Sequence, residues 1–66
     1  MKPHEERVVV EKDELVDKIA RLEQFIQHSL IYKALPEDER DRMSKQLVAM
    51  REYATILGER IKNFPK

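Results

Sequence analysis

The sequence predicts an all-α fold: an antiparallel two-helix hairpin with a short one-turn connector, assembling into a symmetric homo-oligomer. Three observations predict it. Apolar residues recur at helical spacing along both halves of the chain. Pro36, followed by Glu37, Asp38 and Glu39, punctuates the middle. The 66 residues, with no cysteine, leave the fold short of core. A chain of this size buries too little surface to be comfortably stable alone, and small folds add disulfides, a metal or further subunits. The absence of cysteine excludes disulfides and thiolate metal sites. His4 and His28 lack metal-ligand spacing. Assembly remains as the source of extra core, and the whole chain, 1–66, reads as a single hairpin domain.

The first helix is expected over about 5–28. Val8, Leu15, Ile19, Leu22 and Ile26 are spaced by 7, 4, 3 and 4, the period of a helix and not the alternation of a strand. Val16 and Phe25 widen the stripe. The Val8-Val9-Val10 run is locally strand-like, because β-branched side chains are stiff at χ1. A lone short strand would have no partner, so the run is placed in or just before the helix.

The connector is expected over 29–35. Ser29 can cap a single helical turn, with Leu30, Ile31 and Leu35 plugging the end of the hairpin. Pro36 suits the first position of the next helix, and the three acids after it complement the helix dipole.

The second helix is expected over about 36–61, with a tail over 62–66 in which Phe64 folds back onto the seam. Met43, Leu47, Met50, Ala54, Leu57 and Ile61 follow spacings of 4, 3, 4, 3 and 4, an unbroken a/d heptad. Val48, Tyr53 and Ile56 lie off that seam. A second apolar edge implies a second packing partner.

Lys plus Arg and Asp plus Glu both number 13, giving zero net charge. That argues against bulk binding to DNA or to an acidic membrane, while leaving room for one compact anion in a local basic pocket. The longest apolar run has three residues, far short of the ~20 that a membrane span needs. The charge-rich start, without an apolar h-region, is not that of a signal peptide. A cytoplasmic location is expected.

Catalysis finds little to work with. The acids occur as sequence neighbours (Glu5-Glu6, Asp13-Glu14, Glu37-Asp38-Glu39) and splay around their helices instead of converging as paired acid and base must. The only serines, Ser29 and Ser44, sit in a cap and on a polar face, and Gly58 is the only glycine, so neither a nucleophile set nor a phosphate loop can be built. No enzyme, metal or cofactor is expected. Binding residues are easier to nominate. His4 and Arg7 lie where helix amides attract anions. Lys12, Lys18 and Arg21 follow on the first helix, and Lys18 borders the seam. Gly58 interrupts a strong helix at a cost of about 1 kcal/mol relative to alanine. Helical glycine permits close approach by another chain or a ligand, and Thr55 and Arg60 are near it. Copies of Arg60 meeting around a symmetry axis would require anions, which phosphates supply.

The ordered pattern HxxRVVxEKxEL, KIxRLxxFI and ALPEDERxRxxxQLxxMxxYxxILGERI, from His4 to Ile61, resembles the small phage and prophage proteins that share the helical-hairpin domain of the anti-CBASS and anti-Thoeris signal sponges. The resemblance implies a compact homohexamer, a trimer of antiparallel dimers, in the cytoplasm of an infected bacterial host. It implies that the chain binds cyclic nucleotides of bacterial defence and holds them uncleaved. A dinucleotide-type pocket between paired subunits would use His4, Arg7 and Lys18. Members tend to carry a large aromatic near the N-terminus, and this chain has His4 there. A trinucleotide-type pocket on the threefold axis would use Thr55, Gly58 and Arg60. The alternative is a structural or regulatory phage hairpin that binds a protein partner and no small ligand.

Overall fold

A computed structural model of the chain describes residues 1–65 and contains three helices: α1 (Pro3–His28), α2 (Leu30–Ala34) and α3 (Glu37–Lys62). The fold is all-helical, with α1 and α3 antiparallel and the one-turn α2 between them. The molecule is a rod of 49 × 15 × 14 Å.

The two long helices pack along the stripes that the periodicity marks. Val8, Leu15 and Ile19 of α1 and Leu47 and Leu57 of α3 are buried, and Leu22, Ile26, Met50, Ala54, Ile61 and Phe64 pack against them. Leu57 is fully enclosed. The valine run is helical, with Val8 inward and Val10 outward. Burying one such side chain is worth about 1.5–3 kcal/mol, so this short seam supplies most of what holds the hairpin closed.

α1 begins at Pro3, earlier than the seam alone indicates. Proline suits the first helical position, and the Glu5 carboxylate accepts the Lys2 backbone N–H at 2.9 Å. Glu5 is 5% exposed, so the Glu5-Glu6 pair is not uniformly solvated. At the other end, the Ile31 N–H donates to Ser29 Oγ at 3.1 Å, the cap that starts α2. Pro36 takes the N-cap position of α3, one residue before the first helical one. Its carbonyl accepts from the N–H groups of Glu39 and Arg40, both at 3.1 Å. α3 continues to Lys62, where the Asn63 side chain donates to the Glu59 carbonyl at 2.8 Å. Phe64 then packs on the core, leaving Lys66, of the 62–66 tail, outside the described residues.

Leu30 and Ile31 do not plug the hairpin: they are 79% and 67% exposed. A five-residue helix has only one inward face. Here Tyr32 takes it, meeting Phe25 edge to face with ring centroids 6.0 Å apart.

Candidate functional site

Among the described residues one ion pair joins α1 to α3, and a second close approach between the helices lies on the same flank of the hairpin. In the first, Arg51 pairs with Glu23 at 3.2 Å. In the second, the Lys12 ammonium lies 3.2 Å from the point that a Cβ on Gly58 would occupy. Lys12 and Glu23 are eleven residues apart and Gly58 and Arg51 seven, which for a helix means the same side three and two turns along. Thr55 stands between Arg51 and Gly58 and donates its hydroxyl to the Arg51 carbonyl at 3.0 Å.

This geometry gives Gly58 a physical reason. No glycine here has a positive φ, so its conformational freedom is not needed. What it supplies is room, and the group that uses the room is Lys12 of the same chain. Among the described residues no carboxylate comes within ion-pairing distance of Lys12, whereas Arg21, Arg42 and Arg51 each have an acid partner. A half-buried ammonium without an acid partner, its N–H donors set above a helical glycine, is chemically suited to an anion. Sequence reasoning named Lys12 beside Lys18 and Arg21 but assigned it to neither pocket. The spacing within one helix does not say which residue of the other helix it will face.

The other nominated residues are distributed along the rod. Thr55 and Gly58 share the Lys12 flank. Arg60 is exposed in the last turn of α3, two residues past Gly58, a separation at which helical side chains do not face each other. His4, Arg7 and Lys18 are exposed on α1. At ~1.5 Å of rise per residue His4 and Lys18 stand roughly 21 Å apart. Arg7 lines a shallow groove with Pro3, Glu6, Val10, Glu11 and Glu14, a largely acidic setting. The amides at the start of α1 already have an anion in Glu5. Its carboxylate lies in a cleft with Met1, Ile61, Lys62, Phe64 and Pro65. Within one chain neither set forms an enclosed pocket. Among the described residues no group of three or more His, Asp or Glu side chains converges as a metal site would require, and no helix is long and apolar enough to cross a membrane.

The fold is a helical hairpin with a cationic group, Lys12, on the flank between its two long helices. A family model described as Sequestin matches residues 2–63. The chain belongs to the Sequestin family, in agreement with its resemblance to the cyclic-nucleotide sponges. No curated protein and no solved structure matches the chain.

Proposed function

We propose that this protein is a phage counter-defence sponge that binds cyclic oligonucleotide second messengers, dinucleotides or trinucleotides, and holds them uncleaved in the cytoplasm of the bacterial host. The observation that carries the reading is membership of the Sequestin family across nearly the whole chain. The geometry adds a cationic group suited to a phosphate: Lys12 over Gly58, beside Thr55. Zero net charge favours a compact anion over bulk nucleic acid, whose binding rests on many phosphate contacts.

The assembly in this reading is a homohexamer, a trimer of antiparallel dimers. Copies of Arg60 around the threefold axis supply one cation per phosphate of a cyclic trinucleotide, with Thr55 and Gly58 lining the approach. His4 and Arg7 from one copy, meeting Lys18 from another, take a dinucleotide. Both sites need a second chain, in keeping with the separation of these residues along one rod.

The test is isothermal titration of the purified chain with cyclic dinucleotides and with cyclic tri-adenylate, followed by chromatography of the ligand released on heating. Tight binding with intact release is expected. One ligand per three chains assigns the threefold site, and one per two chains the dimer site. Arg60→Ala should abolish trinucleotide binding while the oligomer persists. Turnover of the ligand would overturn the reading. So would no binding by either ligand class, which would favour the second reading, a hairpin that docks a protein through the exposed Leu30 and Ile31.

A further inference from the structure

The two ends of the chain meet over a carboxylate that the sponge reading does not use. Pro3 starts α1 and sets Glu5 in its first turn, while α3 runs on to Lys62 and Phe64 returns to the core. Met1, Glu5, Ile61, Lys62, Phe64 and Pro65 line one cleft of about 360 Å³, within the ~300–1,000 Å³ of small-molecule sites. Glu5 is 5% exposed. A buried carboxylate needs donors on its oxygens, and the fold provides one, the Lys2 N–H on Oε1 at 2.9 Å. Oε2 has no donor among the described residues. It is not sealed either, since Arg40 Nε is the only enclosed side-chain polar atom left unpaired among them. Oε2 therefore opens on the cleft. Lys62 lines the same cleft, and among the described residues no ion pair joins it to Glu5. Opposite charges that share a cleft without touching leave room for a ligand with donors on one side and an acceptor on the other.

A guanine base has that edge. Its N1–H and N2–H groups are adjacent donors, and O6 beside them accepts. A carboxylate accepts and an ammonium donates, so Glu5 can take both N–H groups while Lys62, on its flexible stem, reaches O6. After the Lys2 contact Oε1 keeps one lone pair and Oε2 keeps both. Phe64 offers a flat apolar wall, and bases stack on aromatic side chains. Adenine fits worse: its amino group donates, but its N1 is an acceptor and would set a lone pair against the carboxylate. We propose that this cleft is a base-recognition site selecting guanine. Glu5 is its specificity-determining residue, Lys62 the counterpart on O6 and Phe64 the stacking surface. The proposal rests on the reading of the chain as a nucleotide sponge and extends it from phosphate to base.

Titration of the full chain with cyclic di-guanylate and cyclic di-adenylate, which carry the same phosphates, tests it. The guanine ligand should bind tighter by about tenfold or more, the discrimination of one good bidentate pair. Glu5→Gln is the informative variant. Its amide oxygen can still accept the Lys2 N–H, so amide exchange in the first turn of α1 should stay as in the wild type. Its NH2 group, however, turns a donor toward the donors of guanine. The guanine ligand should then lose about tenfold in affinity, and the preference with it. Phe64→Leu, which keeps an apolar wall, should weaken both ligands alike, and unchanged binding by that variant would remove the stacking surface. Equal affinity of the wild type for the two dinucleotides, or a guanine preference that survives Glu5→Gln, would overturn the site and leave the sponge standing. Binding of cyclic tri-adenylate alone would do the same. If none of the three binds, the sponge reading falls and the guanine site falls with it.

Discussion

The Lys12 ammonium sits 3.2 Å from where the first side-chain carbon of any residue replacing Gly58 would be. That distance is tighter than ordinary van der Waals contact, yet the crowding group is the far end of a flexible side chain. Gly58→Ala should therefore fold, with Lys12 displaced by a few tenths of an ångström. Alanine in a helix interior gains about 1 kcal/mol over glycine, so the melting temperature should rise by about 4–8 °C. If the glycine is kept for a ligand, the same variant should bind cyclic trinucleotide more weakly while melting higher. Thermal melting and titration of one preparation decide it: a higher melting temperature with unchanged affinity removes Gly58 from the site. Lys12→Met, which keeps the stem and deletes the charge, should leave melting nearly unchanged and lower affinity.

Leu57→Ala removes the one side chain that is fully enclosed among the described residues. Truncations of this kind cost about 2–5 kcal/mol, a large part of what a small domain possesses. Loss of the cooperative melt, or a fall in melting temperature well beyond 10 °C by the ~4–8 °C per kcal/mol scaling, is expected. Val48→Ala, on the outer face of α3, should melt close to the wild type when the two are compared as monomers at high dilution.

The Glu5 carboxylate closes the start of α1 through the Lys2 N–H and is covered on the side of the tail by Phe64 and Ile61. Glu5→Ala should cost about 1 kcal/mol, the usual worth of a helix cap. The loss should concentrate at one end of the rod. Amide exchange of the first turn of α1 should accelerate while that around Leu47 does not. Uniform acceleration would mean that the cap and the core unfold as one unit.

Periodicity made the seam legible. Every residue of the α3 heptad from Leu47 to Ile61 faces the core, because each helix alone determines which of its faces is apolar. The residues that were not legible depend on how the helices are set against each other. Lys12 lies over Gly58 only because the connector fixes a particular register between α1 and α3. Glu5 reads as half of a solvated acid pair until the tail folds over it. Leu30 and Ile31 look like a plug by composition, yet the Ser29 cap turns them outward. The nominated binding residues are spread along the rod, and the sponge proposed above would bring them together only by sharing each site between copies.

Arg40 Nε is buried without a hydrogen-bond partner in the first turns of α3. An unsatisfied buried donor costs about 1–3 kcal/mol, and methionine reproduces the aliphatic stem without the donor. Arg40→Met should therefore raise the melting temperature of the isolated chain. A fall would indicate that the guanidinium has a partner in the assembled protein, a point that repeating the melt at increasing protein concentration would resolve.

The Glu23–Arg51 pair bridges the helices at 3.2 Å, with side chains 34% and 54% exposed. Pairs this open to water contribute about 0.2–1 kcal/mol, and salt weakens them. A double-mutant cycle with Glu23→Gln and Arg51→Gln should return a coupling in that range at low salt and little at high salt. The measurement also reports on assembly. A coupling well above the range, insensitive to salt, requires water to be excluded from the pair, and in this hairpin only a second molecule on the Lys12–Gly58 flank could exclude it. A small, salt-sensitive value leaves that flank open to solvent, and hence accessible to an anion.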